Sequence, residues 1–418
     1  MPKIYLIDVT NRDGVQTSRL GLAKLEKTII NMKLNQMGIF QSEFGFPVTS
    51  HEINYLNANL DLAKLGILSP IKLSGWIRAT TEDVELAFKN VPEIKHLNLS
   101  ISTSDQMING KFQGRKTKQD IVNSMIEALK KAKELGAETV GVNAEDASRT
   151  GEDFLMEFAS AAKNNGADRI RYCDTLGYDT PSIIRKRIYK LAKAVEIPIE
   201  IHCHNDLGMV VGCSYEGALG AIDAGVDAYI NTTINGIGER AGNCDMVSVL
   251  LSILKSSATS EEKYRDILDP RIDLKKAYHL AKYASYAFRV SIPINQVGVG
   301  DNAFAHESGI HADGALKDRK NYELYDLEEL GRGEVEIVEI GRRITTGEYG
   351  GIKGFKHVFE KDLKIEFKDE QEASRILELA RFANVHTQKP LTKEELMFVY
   401  KYPSIASKIM TVTPPNNH

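Results

Sequence analysis

Short apolar runs rich in β-branched residues, each bounded by turn-forming or charged residues, recur through the first two thirds of the chain. They are Ile4–Val9, Ile39–Phe44, Ile71–Ile77, His96–Ile101, Thr139–Asn143, Arg169–Cys173, Ile199–Cys203 and Asp227–Asn231. This pattern predicts strands. Between the runs, segments such as 21–37, 118–135 and 181–195 repeat apolar residues every three or four positions among good helix formers, which predicts amphipathic helices. Alternating strands and helices imply parallel pairing. Eight such units within about 250 residues fit a (β/α)₈ barrel, whereas an open doubly wound sheet carries fewer strands and a Gly-rich phosphate loop after the first. No G-x-G-x-x-G follows Val9. The expected fold class is α/β: a TIM barrel over 1–257, a polar linker over 258–275 within and after SSATSEEKYRD, and a smaller, mainly helical region over 276–418. In that last region helices are expected at Leu274–Phe288 and Glu370–Asn384, with the Gly-rich stretch IGRRITTGEYGGIKG between them.

Barrel enzymes carry their chemistry at the carboxyl ends of the strands. Polar residues follow every run here. Arg12, Asp13 and Gln16 come after the first; Glu43 lies in the second before Gly45; Arg78 ends the third; Ser102, Thr103 and Ser104 follow the fourth. Asn143, Glu145 and Asp146, then Asp174 and Thr175, then His202 and His204, then Asn231, Thr232, Thr233 and Asn235 complete the circuit. The sharpest signal is IEIHCHND. Period-two alternation places His202 and His204 on one face of a strand end and Cys203 on the other, so the two imidazoles can chelate one ion. An H-x-H pair also arises by chance, and its position at a strand end is what favours ligation. Asp13 in DVTNRDGVQ can supply a carboxylate, because strand 1 closes the barrel beside strand 8 and lies two from strand 7. Two imidazoles, a carboxylate and open positions suit Mn²⁺, Mg²⁺, Co²⁺ or Zn²⁺ acting as a Lewis acid. The alternative is an Arg12–Asp13 structural ion pair, which the Gly immediately after disfavours. INGIGERAGN ends in Asn243, a neutral oxygen ligand for the same ion or the end of a merely Gly-turned loop. FAHESGIHADGA, outside the barrel, holds His306, Glu307, His311 and Asp313; two histidines five apart do not share a helix face, so a loop is expected, presenting His311 as an acid or base.

Composition narrows the class. With 418 residues, 42% hydrophobic and 26% charged, the chain has material for a large core and no sign of disorder. A net charge of -4 gives no electrostatic reason for a nucleic-acid or membrane partner. MPKIYLIDVT breaks at Asp8 and lacks the layout of a signal peptide or membrane span. Cys173, Cys203, Cys213 and Cys244 form no C-x-x-C pair, which fits a reducing cytoplasm and a packing role.

Taken in order, VTNRDGVQ, EFGFP, NAEDASRT, YCDTLG, IHCHNDLG, NGIGERAGN and SGIHADG resemble the DRE-TIM metallolyases over nearly the whole chain, in the branch of 2-isopropylmalate, homocitrate, citramalate and Re-type citrate synthases. The resemblance implies a Claisen-type condensation of acetyl-CoA with a 2-oxo acid, followed by CoA release. It implies that Asp13, His202 and His204 bind a divalent metal, Mn²⁺ first, with Asn243 beside it. Arg12 would hold charge developing on oxygen, Thr175 would fix the oxo acid's carboxylate, and Glu145 would be an acid or base. Gln16 and Glu43 would belong to the substrate site. His311 would reach the barrel mouth from a neighbouring subunit to remove the acetyl proton, which implies a homodimer with domain-crossing active sites.

Three features depart from that pattern. Asn11 and Val15 replace Leu and Glu in the opening motif, Asn98 stands where a substrate-contacting His is usual with His96 one alternation earlier, and a Tyr that assists the second-region His is replaced in LGRGEVEI. The run STSDQMINGKFQGRK and the segment FQSEFGFP look most similar to Re-type citrate synthases, which favours oxaloacetate; 2-oxoglutarate, as in homocitrate synthases, is the alternative, ahead of isopropylmalate or citramalate formation. Arg78, Lys111 and Arg115 are the cations available for a distal carboxylate. The chain ends about where leucine-inhibited relatives begin a regulatory domain, so feedback by leucine is not expected. A hydroxyacyl-CoA lyase, the different class, would lack the SGIHADG region.

Overall fold

A computed structural model describes residues 1–333 and 346–412. Eight parallel strands close a barrel in chain order: β1 Ile4–Asp8, β2 Gln41–Gly45, β3 Lys72–Arg78, β4 His96–Ser102, β5 Thr139–Glu145, β6 Arg169–Asp174, β7 Ile199–Cys203 and β8 Ala228–Thr232. β1 pairs with β8 from Ile4↔Ala228 to Asp8↔Thr232, which seals the ring. Each expected run forms its strand, with ends moved by a residue or two. β2 starts two residues late, at Gln41, because the Ile39 N–H turns back to the Leu34 carbonyl at 3.1 Å and pairing with β1 begins at Ile7↔Gln41.

A helix follows every strand and buries one stripe against it. In Lys118–Glu134, Ile121, Val122, Met125, Ala128, Leu129 and Ala132 face inward, and Thr117 and Asp120 cap the first turn reciprocally. In β6 both parities are buried. Ile170 and Tyr172 pack in the apolar core, while Arg169 and Arg171 reach β2 across the lumen. The lumen is therefore not the stack of branched aliphatics common in such barrels. Its floor is Tyr5, Phe40 and Tyr229, with the Arg169 guanidinium 4.9 Å from the Tyr229 ring centre, and above that floor lie carboxylates, amides and guanidinia. Gly141 belongs to this layer. A Cβ there would meet Asn98 Oδ1 at 2.2 Å.

The polar connection after the barrel does not hang free. Ile4 donates to the Ile267 carbonyl at 2.6 Å, Asp269 donates to Ile4 at 2.9 Å and Asp273 donates to Met37 at 2.9 Å, so this stretch is sewn to the barrel floor. Ala277–Phe288 packs on Lys24–Gln36. Glu370–Thr387, Lys393–Lys401 and Pro403–Met410 pack over the first two barrel helices, held by Lys33–Glu394 and Lys408–Asp61 ion pairs, both at 2.7 Å. Residues 340–345 of the Gly-rich stretch and 334–337 of LGRGEVEI lie outside the described residues. No described helix is long and apolar enough to cross a membrane. All four cysteines are free and buried, and burial pushes the Cys213 and Cys244 thiols up to about 12, which keeps them neutral.

Candidate active site

At the end of β1 the Val9 carbonyl accepts from the N–H groups of Arg12, Asp13 and Gly14 at 3.1, 2.7 and 3.1 Å. This tight turn swings Arg12 and Asp13 over the barrel mouth. Across it, β7 sends His202 and His204 to the same side. The loop after β8 folds back so that His204 bridges Asn243 and the Asn205 N–H meets the Gly242 carbonyl at 3.0 Å; Gly242, at φ +97°, permits that return.

The ligand atoms of Asp13, His202 and His204 lie within 4.8 Å of one another, all on buried residues. Asp13 Oδ2 is 3.2 Å from His202 Nε2, 3.8 Å from His204 Nε2 and 3.0 Å from Asn243 Nδ2, while the two Nε2 atoms are 3.3 Å apart. The other Asp13 oxygen faces Arg12 at 3.5 Å, so the ion pair and the ligand cluster coexist. Burial raises the Asp13 carboxyl, but Arg12 and the histidines overcome it and hold the group well below the usual range. Burial and the neighbouring His202 push His204 down to about 3, leaving a neutral imidazole at pH 7. Asn243 Oδ1 is buried without a partner, and a half-turn of its amide exchanges oxygen for nitrogen beside Asp13. Two imidazoles, an ionised carboxylate and an orphaned amide oxygen fit a divalent cation.

Behind this cluster a ring of hydrogen bonds runs through the lumen. Arg12 Nε donates to Glu43 Oε2 at 2.6 Å, and Glu43 Oε1 accepts from Arg171 and Asn98, both at 2.7 Å. Arg171 lies 2.5 Å from Glu200 Oε1, which also accepts from Asn231 Nδ2 at 2.7 Å; Asn231 Oδ1 is 3.0 Å from His202 Nδ1. Burial raises the Glu43 carboxyl, yet Arg12 and Arg171 bring it down to about 2.

The expected site residues divide accordingly. Arg12, Asp13, Glu43, His202, His204 and Asn243 converge, with Glu43 buried behind Arg12 as its carboxylate partner. Thr175 Oγ1 accepts the Asp146 N–H at 2.9 Å, which leaves its hydroxyl hydrogen to donate. Glu145, at the end of β5, accepts from Ser102 and from Lys111 at 2.7 Å. Gln16 lines a cavity of about 430 Å³ with Lys24, Phe46 and His51 beside the β1 and β2 ends. The Arg78 guanidinium is bound to Asp83 by two hydrogen bonds, at 2.9 and 2.6 Å, with its side chain 71% exposed, and Arg115 is exposed against Gln113, so neither meets the cluster. His96 lies low on β4, bonded to Thr139 at 2.8 Å.

His311 is a correction in conformation. A helix, Gly309–Lys317, forms where a loop was expected; His306 lies before it, 3.2 Å from Glu323, so the helix carries His311 alone of the two histidines. His311 is exposed and stacks on Tyr322, ring centres 4.3 Å apart. Tyr322 escaped sequence reading because a second short turn, not helical spacing, brings it back to His311. Arg171 and Glu200 escaped it too, although alternation offered a signal: Ile170 and Tyr172 must face the helices, which sends Arg171 into the lumen.

Comparison with known proteins agrees with this architecture. Residues 3–283 match the HMGL-like family model and residues 299–387 match the homocitrate synthase post-HMGL domain-like model. The chain is 60% identical to a citrate (Re)-synthase of Dehalococcoides mccartyi over 418 residues, 100% of both chains. It is 36% identical to 2-isopropylmalate synthase 2 of Caldanaerobacter subterraneus subsp. tengcongensis, over 95% of each chain, and 31% identical to homocitrate synthase 1 of Nostoc sp., over 96% of this chain and 98% of that one. Among solved structures, hydroxymethylglutaryl-CoA lyase from Pseudomonas aeruginosa shares the fold with a TM-score of 0.55 at 16% identity, covering 70% of this chain and 95% of that one. The chain belongs to the HMGL-like family and carries, behind the barrel, a homocitrate synthase post-HMGL domain.

Proposed function

We propose that the chain is a Re-type citrate synthase, condensing acetyl-CoA with oxaloacetate and releasing citrate and CoA. The observation that carries this reading is the 60% identity to a citrate (Re)-synthase along the whole chain. A divalent cation held by Asp13, His202 and His204, with Asn243 beside them, supplies Lewis-acid polarisation of the oxo acid; Mn²⁺ is the ion proposed, and Mg²⁺, Co²⁺ and Zn²⁺ suit the same donors.

The residues then divide the work. Thr175 donates its hydroxyl to the carboxylate next to the reacting carbonyl. His311, supplied by the second copy of a homodimer, takes a proton from the acetyl methyl. The resulting carbon nucleophile attacks the oxo carbon, and Arg12 holds the charge that gathers on the carbonyl oxygen until that oxygen is protonated. Water then cleaves the thioester C–S bond, giving the acid and free CoA thiol. Glu145 is the nearby acid or base for these transfers. Lys111 supports a site for oxaloacetate's second carboxylate, since its ammonium stands at the strand ends, 3.1 Å from Ser102 Oγ and paired with Glu145 at 2.7 Å, while Arg78 and Arg115 are turned elsewhere. Domain crossing is supported by His311 being exposed on a region whose Ile310, Leu316 and Leu324 are 76%, 89% and 72% exposed.

The test is thiol release from acetyl-CoA by purified, Mn²⁺-loaded protein under anoxic conditions, with oxaloacetate, 2-oxoglutarate, pyruvate and 2-oxoisovalerate in parallel and product mass recorded. Oxaloacetate should be preferred, with citrate as product. A preference for 2-oxoglutarate would make the chain a homocitrate synthase instead, and silence with all four would remove the condensing reaction.

A further inference from the structure

Glu200 touches neither the mouth of the barrel nor the expected ligand atoms, yet it is completely buried and stands between two guanidinia and an amide. Arg171 at 2.5 Å and Arg169 at 3.1 Å present guanidinium hydrogens to its two oxygens, so the Glu200 carboxylate only accepts. An acceptor that cannot donate dictates the amide opposite it. Asn231 must turn its NH₂ toward Glu200, as the 2.7 Å contact has it, and therefore its carbonyl oxygen toward His202. A carbonyl oxygen only accepts, so in an imidazole that ligates a metal the single hydrogen belongs on Nδ1. Nε2 is then left bare on the side where Asp13 and His204 converge.

We propose that Glu200, acting through Asn231, is the positioning residue that fixes His202 with its hydrogen on Nδ1 and its Nε2 lone pair toward the metal. The proposal rests on the reading of Asp13, His202 and His204 as a metal centre. It extends that centre one hydrogen bond beyond Asn231, to a group with no contact to substrate or ion. The chain of contacts has a second arm: through Arg171 and Glu43 the same carboxylate is tied to Arg12, so one buried anion orients both the metal-side imidazole and the guanidinium across from it.

A simpler role for Glu200 is a counter-ion for Arg169 and Arg171, and three variants separate the two. Glu200→Gln removes the anion and lets the amide at 200 present either end to Asn231. Asn231→Leu removes the acceptor at His202 but leaves Glu200 with both arginines. The pair Glu200→Gln with Asn231→Asp restores the charge count and rebuilds an acceptor facing Nδ1, with the Gln amide donating to it.

The readout is Mn²⁺ affinity of the metal-stripped protein without substrate, from the electron paramagnetic resonance signal of free Mn²⁺, with circular dichroism as the check of folding. Glu200→Gln and Asn231→Leu should each weaken binding by about 10- to 100-fold, and the double variant should return close to wild type. Wild-type affinity in folded Asn231→Leu, or a double variant as weak as Glu200→Gln, would overturn the proposal. Should Glu200→Gln fail to fold, the double variant decides, since its acceptor facing Nδ1 should return affinity close to wild type and a weak double variant would overturn the proposal. A wild-type protein that binds no Mn²⁺ would sink the metal reading itself, and this inference with it.

Discussion

Arg12 illustrates how much one side chain depends on others out of sight. Its Nε is fixed by Glu43, its terminal nitrogen faces Asp13 and its guanidinium carbon lies 5.6 Å from the Trp76 ring centre. Lysine carries the charge but not this fork, so Arg12→Lys should lower kcat by about 100- to 1,000-fold while leaving Mn²⁺ affinity near wild type; an unchanged kcat would remove Arg12 from the reaction. Glu43 is the opposite case, a stability residue at the edge of the site. Glu43→Ala leaves Arg12 and Arg171 buried against no carboxylate and should cost about 3–5 kcal/mol in urea unfolding, and a loss below about 1 kcal/mol would mean the lumen admits water to those cations. At this scale Asp13, His202 and His204 were legible because ligand chemistry is restricted to few residue types and strand parity fixes their side. Arg171 and Glu200 were not singled out, since a charge inside a strand reads equally as solvent-facing until the closure of the barrel is known.

Elements were legible where periodicity alone decides them. All eight strands were found, and their ends shifted because backbone pairing, not hydrophobicity, sets where a strand begins, as at Gln41. Gly141 on β5 shows a constraint of the element itself. Gly141→Ala places a methyl where Asn98 Oδ1 stands, 2.2 Å away, and should displace Asn98 from Glu43, lowering stability by about 1–3 kcal/mol; a neutral effect would show that Asn98 moves freely. The helix Gly309–Lys317 was missed because its side chains bury nothing and leave no apolar stripe to read. Its proposed destination is a second copy of the chain. Mixing inactive Arg12→Ala and His311→Ala proteins after reversible dissociation should restore about a quarter of wild-type turnover, because a mixed dimer rebuilds one intact site; no recovery would place His311 at its own barrel or outside catalysis.

The whole molecule joins a charged lumen to an apolar outer core, and its stability should follow pH accordingly. Burial raises Glu43 and Glu52, but their cationic partners overcome it and bring both from 4.5 to about 2. A folded-state value below the unfolded one means stability that is fully present above about pH 4.5 and is lost as pH falls toward 2. Asp8, raised by burial to about 7, acts in the opposite sense, holding a proton in the folded state and subtracting stability as pH rises from about 4 to 7. Urea midpoints should therefore climb steeply from pH 2 to 4.5, and the climb should be shallower in Glu43→Gln; equal slopes would show that Glu43 is not held ionised. The stitching of residues 267–273 to the barrel floor was invisible in sequence because backbone hydrogen bonds carry it, whereas the barrel followed by a helical region was legible from composition and period. The proposed condensation depends on a divalent metal at Asp13, His202 and His204, and the most direct measurement is citrate formation from acetyl-CoA and oxaloacetate by metal-stripped protein as Mn²⁺ is added back. Turnover should be abolished by stripping, return with about one ion per chain in the wild type and stay absent in His202→Ala at the same Mn²⁺; full turnover by the stripped protein, or by His202→Ala, would contradict the account.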